Sequence, residues 1–501
     1  MSDKPHPLGD PDYEPSDRRL ERLWTGDTPT EPMPIVERLR HTPYRIPRPA
    51  EELAAAAEYQ AALDAIDIAL RLGELMLRSG AAAAKVEASV IAVGAAAGLQ
   101  RLDLDITLQS MHLQCVLPDG RTITRLRVVQ GARQDFARLD AIHQLVEQVI
   151  VEEWDAESVR ERLRSIQIQR RNYSDLLVLL ATGVLAGAVT FMLGASPVAA
   201  LVAMLAGIAV HRTTKFLGRH GYPEFYQMAF GAFIGTFIAW LGYVVGVKTP
   251  VPLSGADFAY MVAGGIIILL PGRAMAAAVE DVISGYQVTG AGRVLAVLLN
   301  TSGLIIGVGG GLAAGLAITR VLDMSFVSPD VLDLRSFASP AGAAITGAFV
   351  LGASAAVTAQ SRRRLIVPIA LLCVTAVVIY RGLSEWAGFG VTIATGVAAV
   401  VIGVLGRLVA ERVRSNAMTI IIPATFGLLP GLAIFRALYE MVSAGPYAGS
   451  LTVQSGITTL LGAGATLLAI ATGTTLGDIM MNPLGQRWNQ ARWDRRRRRQ
   501  G

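Results

Sequence analysis

Between residues 173 and 484 the chain runs again and again for ~18–25 residues with almost no charge, and this pattern limits the fold more than any other feature. A helix rises about 1.5 Å per residue, so most of these runs are long enough to cross a bilayer. Hydrocarbon offers backbone groups no water, so spanning segments must pair their own N–H and C=O groups, as helices do. Ten spans can be drawn: Leu176–Leu193, Val198–Val210, Phe225–Gly246, Phe258–Ser284, Val294–Ile318, Ala341–Ala359, Leu365–Tyr380, Phe389–Leu408, Met418–Val442 and Ile457–Met481. The second is short.

Composition and charge agree. Charged residues are only 17% of the chain and apolar residues 52%, whereas a soluble domain is about a quarter charged. The connections on one side contain Arg212, Lys215, Arg219, Arg293, Arg362, Arg363, Arg364, Arg407, Arg412 and Arg414; those on the other contain Lys248, Arg320, Arg335 and Arg381. Lys and Arg gather on the cytoplasmic side of membrane proteins. The expectation is therefore a multi-pass protein of the cell membrane with both termini cytoplasmic. The run Arg495–Arg499 reads as part of that bias, and no nucleic-acid partner is expected. Residues 1–51 are polar, lack a signal-peptide core and read as a disordered tail; 485–501 form a basic tail.

Residues 52–172 carry the pattern of a small α+β cytoplasmic domain. Leu63, Ile66, Leu70 and Leu77 share one helical face, Ser79-Gly80 breaks it, and Val86, Val90, Val93 and Ala97 form a second. The period then drops to two through Leu102, Leu104, Ile106 and Leu108, and again through Met111, Leu113, Cys115 and Leu117. Pro118-Asp119-Gly120 turns into a third strand ending near Val129, and helices follow around 139–151 and 156–171. The two cysteines, Cys115 and Cys373, read as buried thiols.

A repeat organises the rest. Leu269-Leu270-Pro271-Gly272-Arg273-Ala274 in the fourth span matches Leu428-Leu429-Pro430-Gly431-Leu432-Ala433 in the ninth. Without a gap, Ala278 then aligns with Ala437, Asp281 with Glu440 and Ser284 with Ser443. Two halves of five spans each, 173–320 and 339–484, must enter the membrane in opposite directions. Inverted repeats of this kind are built into secondary transporters, with the site at the repeat interface near the midplane. Proline removes a backbone donor and crowds the preceding turn, so each Pro-Gly is expected to break its helix. The half-helix N-termini so created favour a carboxylate. A proline kink without function is the plain alternative for one such motif; the pair favours a site.

Pro271, Gly272, Arg273, Pro430, Gly431 and Arg436 are the candidate substrate contacts at the breaks, and Asn300, Thr301, Ser302 and Thr474 add polar groups inside spans. Helix-to-helix hydrogen bonding accounts for those hydroxyls equally well. Asp281, Glu440 and Asp478 are candidate proton carriers, because buried carboxylates in membranes are costly and serve proton relays; they lie, like Glu280 and Arg436, nearer span ends, where snorkelling to the interface is the plain alternative. Gly303, Gly307, Gly311 and Gly315 read as a packing seam. The chain has no nucleotide-binding loop of the Walker type and no metal or haem motif, so no cofactor is expected.

The chain resembles the threonine/serine exporter family. The resemblance runs through nearly everything after residue 50 and rests on Ser79-Gly80-Ala81, Lys85-Val86-Glu87, Arg138-Leu139-Asp140 and the paired Leu-Leu-Pro-Gly motifs, with Asp281, Ser284-Gly285 and Gly290 through Arg293 after the first and Arg436 after the second. It implies proton-coupled export of small hydroxy amino acids and no enzymatic role. Two-chain relatives, divided between the halves, are associated with dicarboxylate export, which half-helix ends would suit as well. Where the family often has small hydroxyl residues and an arginine after the Ser-Gly-Ala turn, this chain has Ala82, Ala83, Ala84 and Lys85, which leaves a hydrolase-like role for the soluble domain unsupported. A membrane-anchored enzyme or sensor is the alternative in class, but ten helices are far more than an anchor needs. The expected partners are a small amino acid, protons and the lipid bilayer, with homo-oligomerisation left open.

Overall fold

The computed structural model describes residues 50–129, 131, 135–151, 155–248, 253–321, 339–443 and 452–500. By contact the chain divides into two units, 1–60 and 61–501; of the first, only the helical stretch from Ala50 is described. The tail expected at 1–51 falls outside the described residues up to residue 49, as do Arg335 and the side chains of Lys248, Arg273, Ser443 and Arg495–Arg499.

The N-terminal module begins with α1 (Ala50–Arg78) and α2 (Ala83–Ala96). Gly80 ends α1 at φ +94°, a conformation glycine adopts without strain, and the Ala81 N–H returns to the Met76 carbonyl at 3.1 Å. Strands β1 (Leu102–Thr107), β2 (Ser110–Val116) and β3 (Thr122–Val128) form an antiparallel meander, with Leu104 opposite Leu113 and Ile106 opposite Met111. The period-two residues Leu104, Ile106, Met111, Leu113 and Cys115 are buried. Val86, Val90 and Met111 crowd the site of the missing Gly73 side chain, which fixes the sheet against both helices. Helices α3 (Phe136–Val151) and α4 (Ala156–Ile168) complete the module, α4 capped by Asp155.

The membrane part comprises α5 (Asp175–Met192), α6 (Pro197–Arg219), α7 (Glu224–Lys248), α8 (Gly255–Ile266), α9 (Gly272–Ile283) and α10 (Gln287–Val321), then α11 (Ala341–Thr358), α12 (Ile366–Arg381), α13 (Val391–Val413), α14 (Met418–Ala424), α15 (Gly431–Ser443) and α16 (Val453–Gln500). Among the described residues eight helices are long and apolar enough to cross a membrane, and ten spans result if the bent pairs α8–α9 and α14–α15 each count as one. The protein is a multi-pass membrane protein, mostly helical. The second span is not short. Apolar patterning stops near Val210, but α6 continues to Arg219, where Lys215 meets Asp175 of α5 at 2.9 Å.

Helices α5, α6 and α7 surround α8, α7 lies along α10, and α9 packs on α10. The later helices pair in the same way: α11, α12 and α13 surround α14, α13 lies along α16, and α15 packs on α16. The two sets meet through α5 against α11, α9 against α16 and α15 against α10. The glycine stripe is the seam expected of it: a Cβ on Gly307 would stand 2.1 Å from the Ala229 carbonyl, and Gly303, Gly311 and Gly315 face Phe225, Thr236 and Trp240. Gly477 plays the same part on α16, 2.3 Å from the Val400 carbonyl of α13.

Candidate functional site

Both Pro-Gly motifs break their helices, and in the same way. After α8 comes a 3-10 turn, Ile267–Leu269, then Leu270 extended at φ −66°, ψ 127°, then Pro271 and α9, bent by 53°. After α14 comes Thr425–Leu428, then Leu429 extended at φ −66°, ψ 133°, then Pro430 and α15, bent by 44°. Proline excludes the helical conformation from the residue before it, which is why both leucines are extended. The breaks touch reciprocally. A Cβ on Gly272 would stand 2.7 Å from Leu429, and one on Gly431 would stand 3.5 Å from Leu270 and Ile267.

At this crossing lies a narrow cavity lined by Gly272 and Ala276 of α9, Ile421 and Ile422 of α14, Thr425, Leu429, and Leu467, Ile470 and Thr474 of α16. It offers about 10 Å³ to the centre of a water molecule, room for one. The bundle is closed around it. Of the expected contacts, Gly272 and Thr474 meet here, with Pro271 and Pro430 adjoining; the Thr474 hydroxyl donates to Ile470 O at 2.9 Å. Asn300, Thr301 and Ser302 lie on α10 away from the cavity, and the latter two hydroxyls donate to Val297 and Leu299 carbonyls of their own helix, each at 2.7 Å. Arg436 pairs with Glu440 along α15 at 2.8 Å. The side chain of Arg273, the charged candidate contact at the first break, lies outside the described residues.

One turn beyond the cavity sits an ionic cluster. Four residues after Ala276 comes Glu280, and four after Thr474 comes Asp478. Lys85, from the first turn of α2, lies between them, its Nζ 3.0 Å from Glu280 Oε1 and 3.5 Å from Asp478 Oδ2. Arg407 of α13 holds the other Asp478 oxygen at 3.4 Å and Glu411 at 3.0 Å. Asp281, fully buried, pairs with Arg293 at 2.5 Å and accepts the Ala83 N–H at 2.7 Å. Helix α2 starts at Ala82 without a capping side chain of its own, so the bundle's Asp281 caps it. Burial acts to lower the Lys85 pKa, but Glu280 and Asp478 outweigh it and hold the ammonium above its ordinary value. Nearby, the Tyr286 hydroxyl donates to the Glu87 carboxylate, and burial together with that carboxylate pushes the phenol's pKa up.

Among the described residues the module touches the bundle in two further places. At the hairpin tip the Leu108 N–H donates to Thr289 at 3.1 Å, and Leu108 fills the space over Gly292. On α3, buried Asp140 pairs with Arg362 at 2.8 Å and accepts the Asn416 N–H at 3.1 Å, and Gln144 donates to Arg414 O at 2.8 Å.

The half-helices end far apart. Asp281 of α9 is at the module, whereas Glu440 of α15 accepts the Thr459 hydroxyl at 3.2 Å. Thr459 precedes Asp478 on α16 by 19 residues, about 28 Å of helix, close to the thickness of a bilayer core. The three candidate carboxylates are thus each engaged with a cation. Lys85, Arg293 and Arg407 are partners that sequence reasoning did not assign. The usable signal was Glu280-Asp281 at a span end, since adjacent buried carboxylates need cations from elsewhere.

Comparison with known proteins agrees with this layout. A family model described as "Putative threonine/serine exporter" matches residues 67–315, and a second, "Threonine/Serine exporter, ThrE", matches 344–480. The chain is 28% identical over 424 residues to a "Probable threonine/serine exporter" of Mycobacterium tuberculosis, covering 84% of this chain and 77% of the relative. It is 26% identical over 415 residues to a "Threonine/serine exporter" of Corynebacterium glutamicum, covering 82% and 81%. No solved structure matches significantly. With one family model on each side of the membrane part's midpoint and both curated relatives spanning most of its length, the chain belongs to the threonine/serine exporter family.

Proposed function

We propose that the protein exports threonine and serine across the cell membrane as a proton-coupled secondary transporter built from two inverted five-helix repeats, with both termini in the cytoplasm. The observation that carries this reading is the crossing of the two broken helices. Their breaks abut at one cavity, and their second halves depart in opposite directions, each ending in a buried carboxylate, Asp281 or Glu440. That is the arrangement in which rocking one repeat against the other exposes a central site to alternate sides. The first turn of α9 opens on the cavity and suits a substrate carboxylate, with the Thr474 hydroxyl opposite. The substrate class is taken from the names of the relatives. Cytoplasmic placement of the module is supported by the helix ends and connections near it, which carry Arg293, Arg362, Arg407 and Arg414.

The test is efflux from cells and proteoliposomes with labelled threonine, serine and succinate under an imposed proton gradient. Threonine and serine efflux should follow the gradient, with succinate at background. At least one of Asp281→Asn, Glu440→Gln and Asp478→Asn should make efflux independent of it. Succinate efflux without threonine efflux would replace the substrate, and wild-type gradient dependence in all three variants would end the proposal about coupling.

A further inference from the structure

The geometry points to the first turn of α2 as the gate of the transport path on the module side, with Lys85 as its latch. This rests on the transporter reading above and adds where the path closes and what closes it. The cavity at the helix breaks is walled by α9 and α16. The next turn of each helix toward the module carries a carboxylate, and one ammonium from the module spans both. Glu280 belongs to the first five-helix set and Asp478 to the second. Lys85 therefore joins the two sets at the point where their separation would open the cavity.

Charge explains why this contact holds the closed state. Around the cavity's module end stand Glu280, Asp281, Asp478 and Glu411, against Lys85, Arg293 and Arg407. Arg293 is taken up by Asp281, and Arg407 is shared by Asp478 and Glu411. Glu280 and Asp478 both lie within contact of one nitrogen, so without Lys85 they face each other as like charges that are nearly buried, with side chains 11% and 10% exposed. Loss of the latch should drive α9 and α16 apart. The Ala83–Asp281 hydrogen bond and the Tyr286–Glu87 contact keep the turn seated over the gap. Opening toward the module requires Lys85 to release one set, and the module must shift with it, because α2 packs on α3 and β1 as part of one fold.

A reporter cysteine in the cavity wall reads this directly. In full-length protein carrying Cys115→Ala, Cys373→Ala and Ala276→Cys, a membrane-impermeant maleimide should label slowly in vesicles with the module outward. Lys85→Met should raise that rate about tenfold or more, Lys85→Arg much less, and none should change the rate in vesicles of opposite orientation. An unchanged rate in folded Lys85→Met protein overturns the proposal. A second arm needs no change at Lys85. With Glu87→Cys and Tyr286→Cys in the cysteine-free protein, a short bis-methanethiosulfonate should tie α2 to the bundle, cut threonine efflux at least tenfold, and release it on reduction. Full efflux by the cross-linked protein also overturns the gate. Absence of threonine efflux by the wild-type protein counts against the substrate reading alone, and labelling, which uses no substrate, then decides the gate.

Discussion

Lys85 shows how a single residue's charge is tied to the state of the whole cluster. Its ammonium is held above the ordinary lysine value because two carboxylates outweigh the cost of burial. A base whose pKa rises on folding stabilises the folded state fully below its unfolded value, near 10.5, and that contribution is lost as pH climbs through the folded value. The thermal midpoint of the wild type should therefore show no Lys85-dependent change between about pH 7 and 10, and fall more steeply above that than the midpoint of Lys85→Met. Parallel alkaline limbs in the two proteins would mean that Lys85 is not paired as described. Ala82, Ala83 and Ala84 bear on the same point. They bring no hydroxyl to the start of α2, and Asp281 fills the role of cap from across the interface.

At the scale of elements, glycine decides how closely helices approach. A methyl on Gly307 or Gly477 would press into a neighbouring backbone carbonyl, which has no rotamer by which to yield. Gly307→Ala and Gly477→Ala should each destabilise the protein by about 1–3 kcal/mol. Gly462→Ala, on the same helix as Gly477 but with nothing within 4 Å, should stabilise by about 0.5–1 kcal/mol through helix propensity. Thermal unfolding of the three variants checks the signs; equal effects would make the seam irrelevant. The breaks and the seam were legible because they are written locally, in Pro-Gly pairs and four-residue spacing. The strands were legible for the same reason, through alternation ending at Pro118-Asp119-Gly120. The cluster was not. Ala83 meets Asp281 across 198 positions and Lys85 meets Asp478 across 393, and no periodicity announces which charges a fold will bring together. Asn300, Thr301 and Ser302 illustrate the converse: a polar triplet in an apolar span draws the eye, yet Thr301 and Ser302 donate to their own helix.

At the scale of the molecule, the earlier and later membrane helices make matching contacts, and among the described residues the module has no counterpart. It leads directly into α5, the first helix of the first set. Much of its bonding is to the second: Phe136 N–H to Ala359 O at 3.2 Å, Asp140 to Arg362 and Asn416, Gln144 to Arg414, and, just after the module, Tyr173 N–H to the Gln360 side chain at 3.1 Å. These bonds join the sets independently of the polypeptide connection between Val321 and Ser339. Severed there and expressed as two fragments, 1–321 and 339–501, the protein should reassemble: the fragments should co-purify and restore efflux, while 173–321 with 339–501 should co-purify poorly. Failure of the first pair to associate would show that covalent continuity is needed after all. In this architecture a fission of the gene between the halves would leave the module's bonds to the later helices intact, because the piece that carries the module also carries the means of recognising the other.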